Sequence, residues 1–180
     1  MASGRAGPRE ATTIDRVEQL YARHGPSVLR LCLRFGRTTA WAEDVLHEVF
    51  VRLLERREDL DDDGNLAGWL HTVAYRLCLD RLRRERGVWS RVKAAIGAEP
   101  AGPARTPETE LVLSERARAA RAALDRLPPK QRVALVMLHV DGMSQAEIAA
   151  VLGHSEGYLS KLLARATRAM QAAGYEVGDA

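Results

Sequence analysis

Lysine is almost missing from this sequence. Lys93, Lys130 and Lys161 are the only three, and arginine carries the rest of the positive charge. Aromatic residues are scarce as well, at 5% of the 180 residues. A core with few rings must be made of Leu, Val and Ala, which favours helices over sheets. Only two cysteines occur, Cys32 and Cys78. That excludes a disulfide framework, and no Cys-x-x-Cys pair exists. Both sit in apolar helical patterns and read as small buried hydrophobes. No apolar run approaches a membrane span, and Met1 to Thr12 lacks the apolar stretch of a secretion signal. The expected setting is therefore soluble, reducing and cytoplasmic, without membrane insertion. A nucleophile–base pair, a Gly-rich phosphate loop and zinc-type spacing are absent too. An enzyme is thus the least favoured class, and neither a metal nor another cofactor is expected.

Apolar residues make up 46% of the chain, enough to bury a core. The net charge is +3, mildly basic. Arginine suits phosphate because its planar fork donates two hydrogen bonds at once. A GC-rich genome would give the same bias, so charge alone decides nothing.

Helical spacing dominates the chain. Thr13 is placed to cap a helix through Ile14, Val17, Leu20 and Tyr21, and Gly25-Pro26 is expected to interrupt it. A second helix follows through Val28, Leu31, Cys32 and Phe35. From Ala40 to about Arg57, Val45, Leu46, Val49, Phe50, Leu53 and Leu54 make one apolar stripe. Glu58 to Asn65 is acidic and turn-like. Leu66 to Arg86 reads as a long helix with Trp69, Leu70, Val73 and Leu77 inward and a basic end. Periodicity fades from Gly87 to Pro107, where Gly and Pro accumulate, the best candidate linker. Helices resume near Glu108. Pro128-Pro129 stops one and starts the next, and Asp141-Gly142 is a turn. No strand pattern appears. The expected fold is all-α: a disordered start at 1–12, a helical domain at 13–87, a linker at 88–107, a helix-turn-helix domain at 108–172 and a tail at 173–180.

The C-terminal motif is the most specific. Ser144-Gln145-Ala146-Glu147 is a capping box. Ile148, Ala149 and Leu152 point inward, Gly153 supplies a left-handed turn, and Ser155 caps the last helix. Leu159, Leu162, Leu163, Ala166 and Met170 form that helix's inner face. A short helix, a tight turn and a longer helix are the geometry that lays a recognition helix in the major groove. An ordinary helical hairpin is the bland alternative.

Asp44, His47 and Glu48 share one helix face by their spacing. A metal site would need matching ligands on another helix, and the remaining histidines are scattered. A solvated polar face is the simpler reading. A third comes from resemblance. Ala42 to Leu53 resembles the helix of bacterial sigma factors that docks on core RNA polymerase. Asn65 to Ala74, followed by Leu77 to Arg84, resembles the promoter-melting helix of that family. Leu127 to Arg132 leading into Gly142 to Ala149 is similar to its C-terminal domain. Two domains with a linker match the small extracytoplasmic-function (ECF) group, over roughly Ile14 to Gln171.

The resemblance implies an alternative sigma factor whose partners are core RNA polymerase, promoter DNA and, at family level, an anti-sigma factor. It assigns Asp44, His47, Glu48 and Phe50 to polymerase. Asn65, Trp69, Arg76, Asp80, Arg81, Arg83 and Arg84 go to the minus-ten element. Ser144, Gln145, Ser155, Tyr158, Lys161, Arg165 and Arg168 go to the minus-thirty-five element. The sequence departs from the family where His47 replaces a usual Gln and Arg76 an Asn. In the last helix, basic residues are missing at Ser160, Leu162 and Thr167. Two alternatives stand beside this reading: a sigma-like regulator that binds duplex DNA without starting transcription, and a module serving a protein partner only.

Overall fold

The computed structural model describes residues 8–36, 38–55, 66–96 and 115–175. These form seven helices and no strand. The chain divides into two compact units, residues 1–77 and 78–180.

Helix α1 (Pro8–Leu33) starts five residues before Thr13, so residues 8–12 are helical rather than disordered and Thr13 lies inside the helix. Pro8 at its first position fits, because proline's fixed φ suits a helix start and its missing N–H is not needed there. The expected break at Gly25-Pro26 does not occur either. An internal proline costs about 3 kcal/mol. Against that, Leu20 before it and Val28, Leu31 and Cys32 after it are buried on one continuous stripe. Each such side chain contributes roughly 1.5–3 kcal/mol when fully buried. Pro26 itself is exposed. The chain then turns through Arg34–Gly36, with the Gly36 amide donating to the Cys32 carbonyl at 2.9 Å.

Helix α2 (Thr39–Glu55) is capped by Thr38, whose hydroxyl accepts from the Trp41 amide at 3.1 Å. It buries Trp41, Ala42, Val45, Leu46, Val49, Phe50 and Leu53 and packs on α1, where the Tyr21 and Phe50 rings meet at 4.8 Å. Gly36 is closed in by this packing. A β-carbon there would stand 2.7 Å from the Trp41 ring.

Helix α3 (Leu66–Ile96) is roughly 46 Å long. Its first half buries Leu66, Leu70, Val73, Ala74, Tyr75, Leu77, Cys78 and Leu79. It meets α1 through Ser27 Oγ and His71 Nε2 at 3.0 Å and through an edge contact of Phe35 with Tyr75. From Asp80 onward no described side chain is buried. The helix nevertheless runs through Gly87 and ten residues past its expected end at Arg86, into the segment read as linker. The fading periodicity marked the loss of packing, not the loss of helix. One glycine costs about 1 kcal/mol, and side-chain bonds such as Arg91 Nε to the Gly87 carbonyl at 3.3 Å tie the turns together.

Helices α4 (Glu115–Arg126), α5 (Pro129–His139), α6 (Gln145–Leu152) and α7 (Glu156–Ala172) complete the described chain. The expected helix start at Glu108, with Leu111 and Leu113, lies outside the described residues. Helices α5, α6 and α7 pack on one another. Their core is Val133, Leu135, Met137, Ile148, Ala149, Val151, Leu159, Leu162, Leu163, Ala166 and Met170. Leu152, expected inward, is only partly covered, and Val151 takes the inner place. Inside this core lies one charged side chain, Arg132, paired with Asp125 at 2.8 Å.

Candidate functional site

Three surfaces carry the residues singled out in the sequence. The first is the outer face of α2. Asp44, His47 and Glu48 are all exposed there, opposite the buried stripe. Glu48 accepts from Arg52 Nε at 3.3 Å, one turn on. An exposed pair of this kind is worth only about 0.3–0.5 kcal/mol, so its carboxylate can be taken over by a stronger cation. Phe50 is not on this face. It is buried against Tyr21 and holds the helix that displays the carboxylates.

The second surface is α3. Trp69 is half-buried, and Arg76 and Asp80 are exposed. Asp80 gathers the basic end: its carboxylate accepts from Arg83 at 3.1 Å, and its carbonyl accepts from Arg84 Nε at 3.4 Å. Arg81 lies 4.0 Å from Glu85. These contacts tether the guanidinium stems while Arg83 and Arg84 stay in solvent. Asn65 and the acidic loop before it lie outside the described residues.

The third surface is the helix-turn-helix formed by α6 and α7. Ser144 Oγ accepts from the Glu147 amide at 3.3 Å, and the Ser144 amide donates to Glu147 Oε2 at 2.8 Å, so both halves of the capping box are made. The serine hydroxyl and amide together hold the Glu147 carboxyl below its ordinary value. Gly153 has φ 69° and ψ 42°, the left-handed conformation that turns α6 into α7. Ser155 caps α7, accepting from the Tyr158 amide at 3.3 Å. Removing the box with Ser144→Ala should cost about 1 kcal/mol, read as a lower midpoint in urea. An unchanged midpoint would show that the box contributes nothing.

On the outer side of α7, Tyr158, Lys161, Arg165 and Arg168 are exposed and spaced to share one face. Ser144, Gln145 and Ser155 are exposed near the helix starts. The structure adds two residues that sequence reasoning missed. Lys130, from the first turn of α5, points its ammonium at His154 Nε2, 2.8 Å away, and at the Tyr158 hydroxyl, 3.4 Å away. The His154 and Tyr158 rings meet at 4.4 Å, tilted by 35°. The separation of 24 and 28 residues left no local signal, although a lysine in a chain with only three was a pointer.

Two histidines bind their protons less well than a free imidazole does. Loss of solvent, then the charges of His24 and Arg34, push the His71 imidazole below 6.5. Loss of solvent, then Lys130 and Arg83, do the same for His154. In each case the proton binds better to the unfolded chain. Their contribution is therefore complete above about pH 6.5 and is lost as pH falls through the folded-state values. Denaturant midpoints should drop on going from pH 7.5 to 5.5, and the drop should shrink in the double variant His71→Gln/His154→Gln. An equal drop in both chains would rule these histidines out.

Among the described residues there is no group of three or more His, Cys, Asp or Glu that could hold a metal ion. No helix there is long and apolar enough to cross a membrane.

Comparison with known proteins agrees with this arrangement. Residues 20–88 match the family model of Sigma-70 region 2, and residues 117–170 match that of Sigma-70, region 4. The chain is 33% identical over 138 residues to the ECF RNA polymerase sigma factor SigE of Mycolicibacterium smegmatis, covering 76% of this chain and 52% of that protein. It thus spans about half the length of that relative. It is 32% identical over 157 residues to the ECF RNA polymerase sigma factor SigM of Mycobacterium tuberculosis, covering 83% of this chain and 72% of that protein. Among solved structures, the sigma factor RpoE of Bartonella quintana, crystallised with the anti-sigma factor NepR, aligns with a TM-score of 0.60 at 19% identity. The alignment covers 87% of this chain and 94% of that one, a likeness of fold.

Proposed function

Because this chain belongs to the ECF group of RNA polymerase sigma factors, we propose that it binds core RNA polymerase, directs it to a narrow promoter set and helps to open the DNA. Core polymerase and promoter DNA are the partners, with an anti-sigma factor as a third read from family membership. The outer face of α2, with Asp44, His47 and Glu48, docks on basic residues of the polymerase. Helix α3, from Trp69 to Arg84, engages the minus-ten element, together with Asn65. Its arginines supply phosphate contacts, which make affinity depend on salt. Extruding a base costs roughly a few kcal/mol, offset by captured bases and by polymerase contacts. Helix α7 reads the minus-thirty-five element. The chain catalyses nothing itself.

One observation carries this reading. Asp44, His47 and Glu48 on α2, Arg76, Asp80, Arg83 and Arg84 on α3, and Tyr158, Lys161, Arg165 and Arg168 on α7 stand in solvent, while each helix turns an apolar stripe inward. Partners therefore meet charge and hydrogen-bonding groups held on rigid helices. The test is transcription by purified core polymerase on the organism's own promoters, with and without the chain. The expected result is chain-dependent initiation at a few promoters, weakened by Arg83→Ala/Arg84→Ala. Failure to bind core would sink the proposal.

A further inference from the structure

Helix α7 is poor in the basic residues its family carries, yet a cation stands beside its first turn. Lys130 comes from the start of α5 and lies 5.2 Å from the centre of the Tyr158 ring. An ammonium has three hydrogens and no acceptor. One points to His154 Nε2 and one to the Tyr158 hydroxyl. That requires the imidazole proton on Nδ1, the tautomer whose Nε2 accepts. The third hydrogen is engaged by neither contact. Tyr158, with 43% of its surface exposed, heads the stripe that continues through Lys161, Arg165 and Arg168. The first residues of a recognition helix are those that reach base edges.

We propose that Lys130, His154 and Tyr158 act as one contact unit for duplex DNA. His154 is the positioning residue, holding the Tyr158 ring toward a base edge, and Lys130 takes a backbone phosphate in place of the arginines missing from α7. Three elements supply the three residues: the start of α5, the turn between the two motif helices, and the first turn of α7. The contact between the two rings restrains the Tyr158 ring. The lysine bridge fixes the hydroxyl end. An apolar ring face suits the methyl group of thymine in the major groove.

This inference rests on the proposed function, and its test separates the two. The probe is a duplex selected by wild-type holoenzyme from a pool randomised over the minus-thirty-five region. Lys130→Met should reduce the slope of log affinity against log salt by about one, the value for a single phosphate. Tyr158→Ala should reduce discrimination at one or two base pairs about tenfold. His154→Ala should do the same, should add nothing further in the Tyr158→Ala background, and should be largely restored by His154→Phe, which keeps the ring contact. An unchanged salt slope for Lys130→Met, or additive losses from His154→Ala and Tyr158→Ala, would overturn the unit. Circular dichroism of each variant shows whether the fold is intact, and Tyr158→Leu replaces Tyr158→Ala where it is not. If the wild-type chain fails to join core, the proposed function falls. The salt slope of the full chain alone on duplex DNA then still decides: equal slopes for the native and Lys130→Met chains overturn the unit.

Discussion

Asp125→Ala should unfold the C-terminal helices near room temperature. The substitution leaves the buried Arg132 guanidinium without the carboxylate 2.8 Å away. Breaking a buried pair from one side costs about 3–5 kcal/mol. A unit of roughly 60 residues has a total stability of about 3–9 kcal/mol, so the loss consumes most of it. The paired replacement Asp125→Leu/Arg132→Met should behave differently. Removing both charges avoids the stranded cation, and such swaps are often neutral or stabilising. Urea titration followed by circular dichroism compares the three chains. If Asp125→Ala melts within about 1 kcal/mol of the native chain, the pair does not hold this core.

The second large effect is expected on assembly. Asp44→Lys/Glu48→Lys should strongly weaken holoenzyme formation without unfolding the chain. Both positions are exposed, and the Arg52 pair lost with Glu48 is worth only tenths of a kcal/mol. Like charges brought together at an interface cost several kcal/mol, so affinity for core should fall by roughly two to three powers of ten. The thermal midpoint of the free chain should stay within a few degrees of the native value. Binding is read by labelled-chain anisotropy with purified core. Retention of native affinity would remove α2 as the docking face.

The sequence disclosed what is encoded locally. The capping box of Ser144 and Glu147, the left-handed Gly153 and the cap at Ser155 involve residues three or four apart, so spacing alone places them. The stripe of α2 was legible for the same reason. What depended on distant partners was not. Pro26 looked like a break because the burial that outweighs it spans both sides of the proline. The end of α3 was hidden because an exposed helix has no apolar period to read. Arg132 sits in a helix whose buried residues run from Arg132 to Met137 without alternation. A helix apolar all round is a sign of full burial, and it was the available hint that this arginine needed an acid nearby. The contact of Lys130 with His154 and Tyr158 joins segments more than twenty residues apart, beyond any local pattern.

The scarcity of aromatic rings also divides the chain optically. All three tryptophans, Trp41, Trp69 and Trp89, belong to α2 and α3, and none belongs to α4 through α7. Trp41 is buried against Gly36 and will change its emission when the first three helices separate. The last four helices are silent in that channel and carry only Tyr158 among their described aromatics. Tryptophan fluorescence therefore follows α2 and α3, while far-ultraviolet ellipticity sums all seven described helices. In Asp125→Ala the ellipticity should fall in part while the emission of Trp41 holds, so one untagged sample separates loss of the last helices from loss of the first.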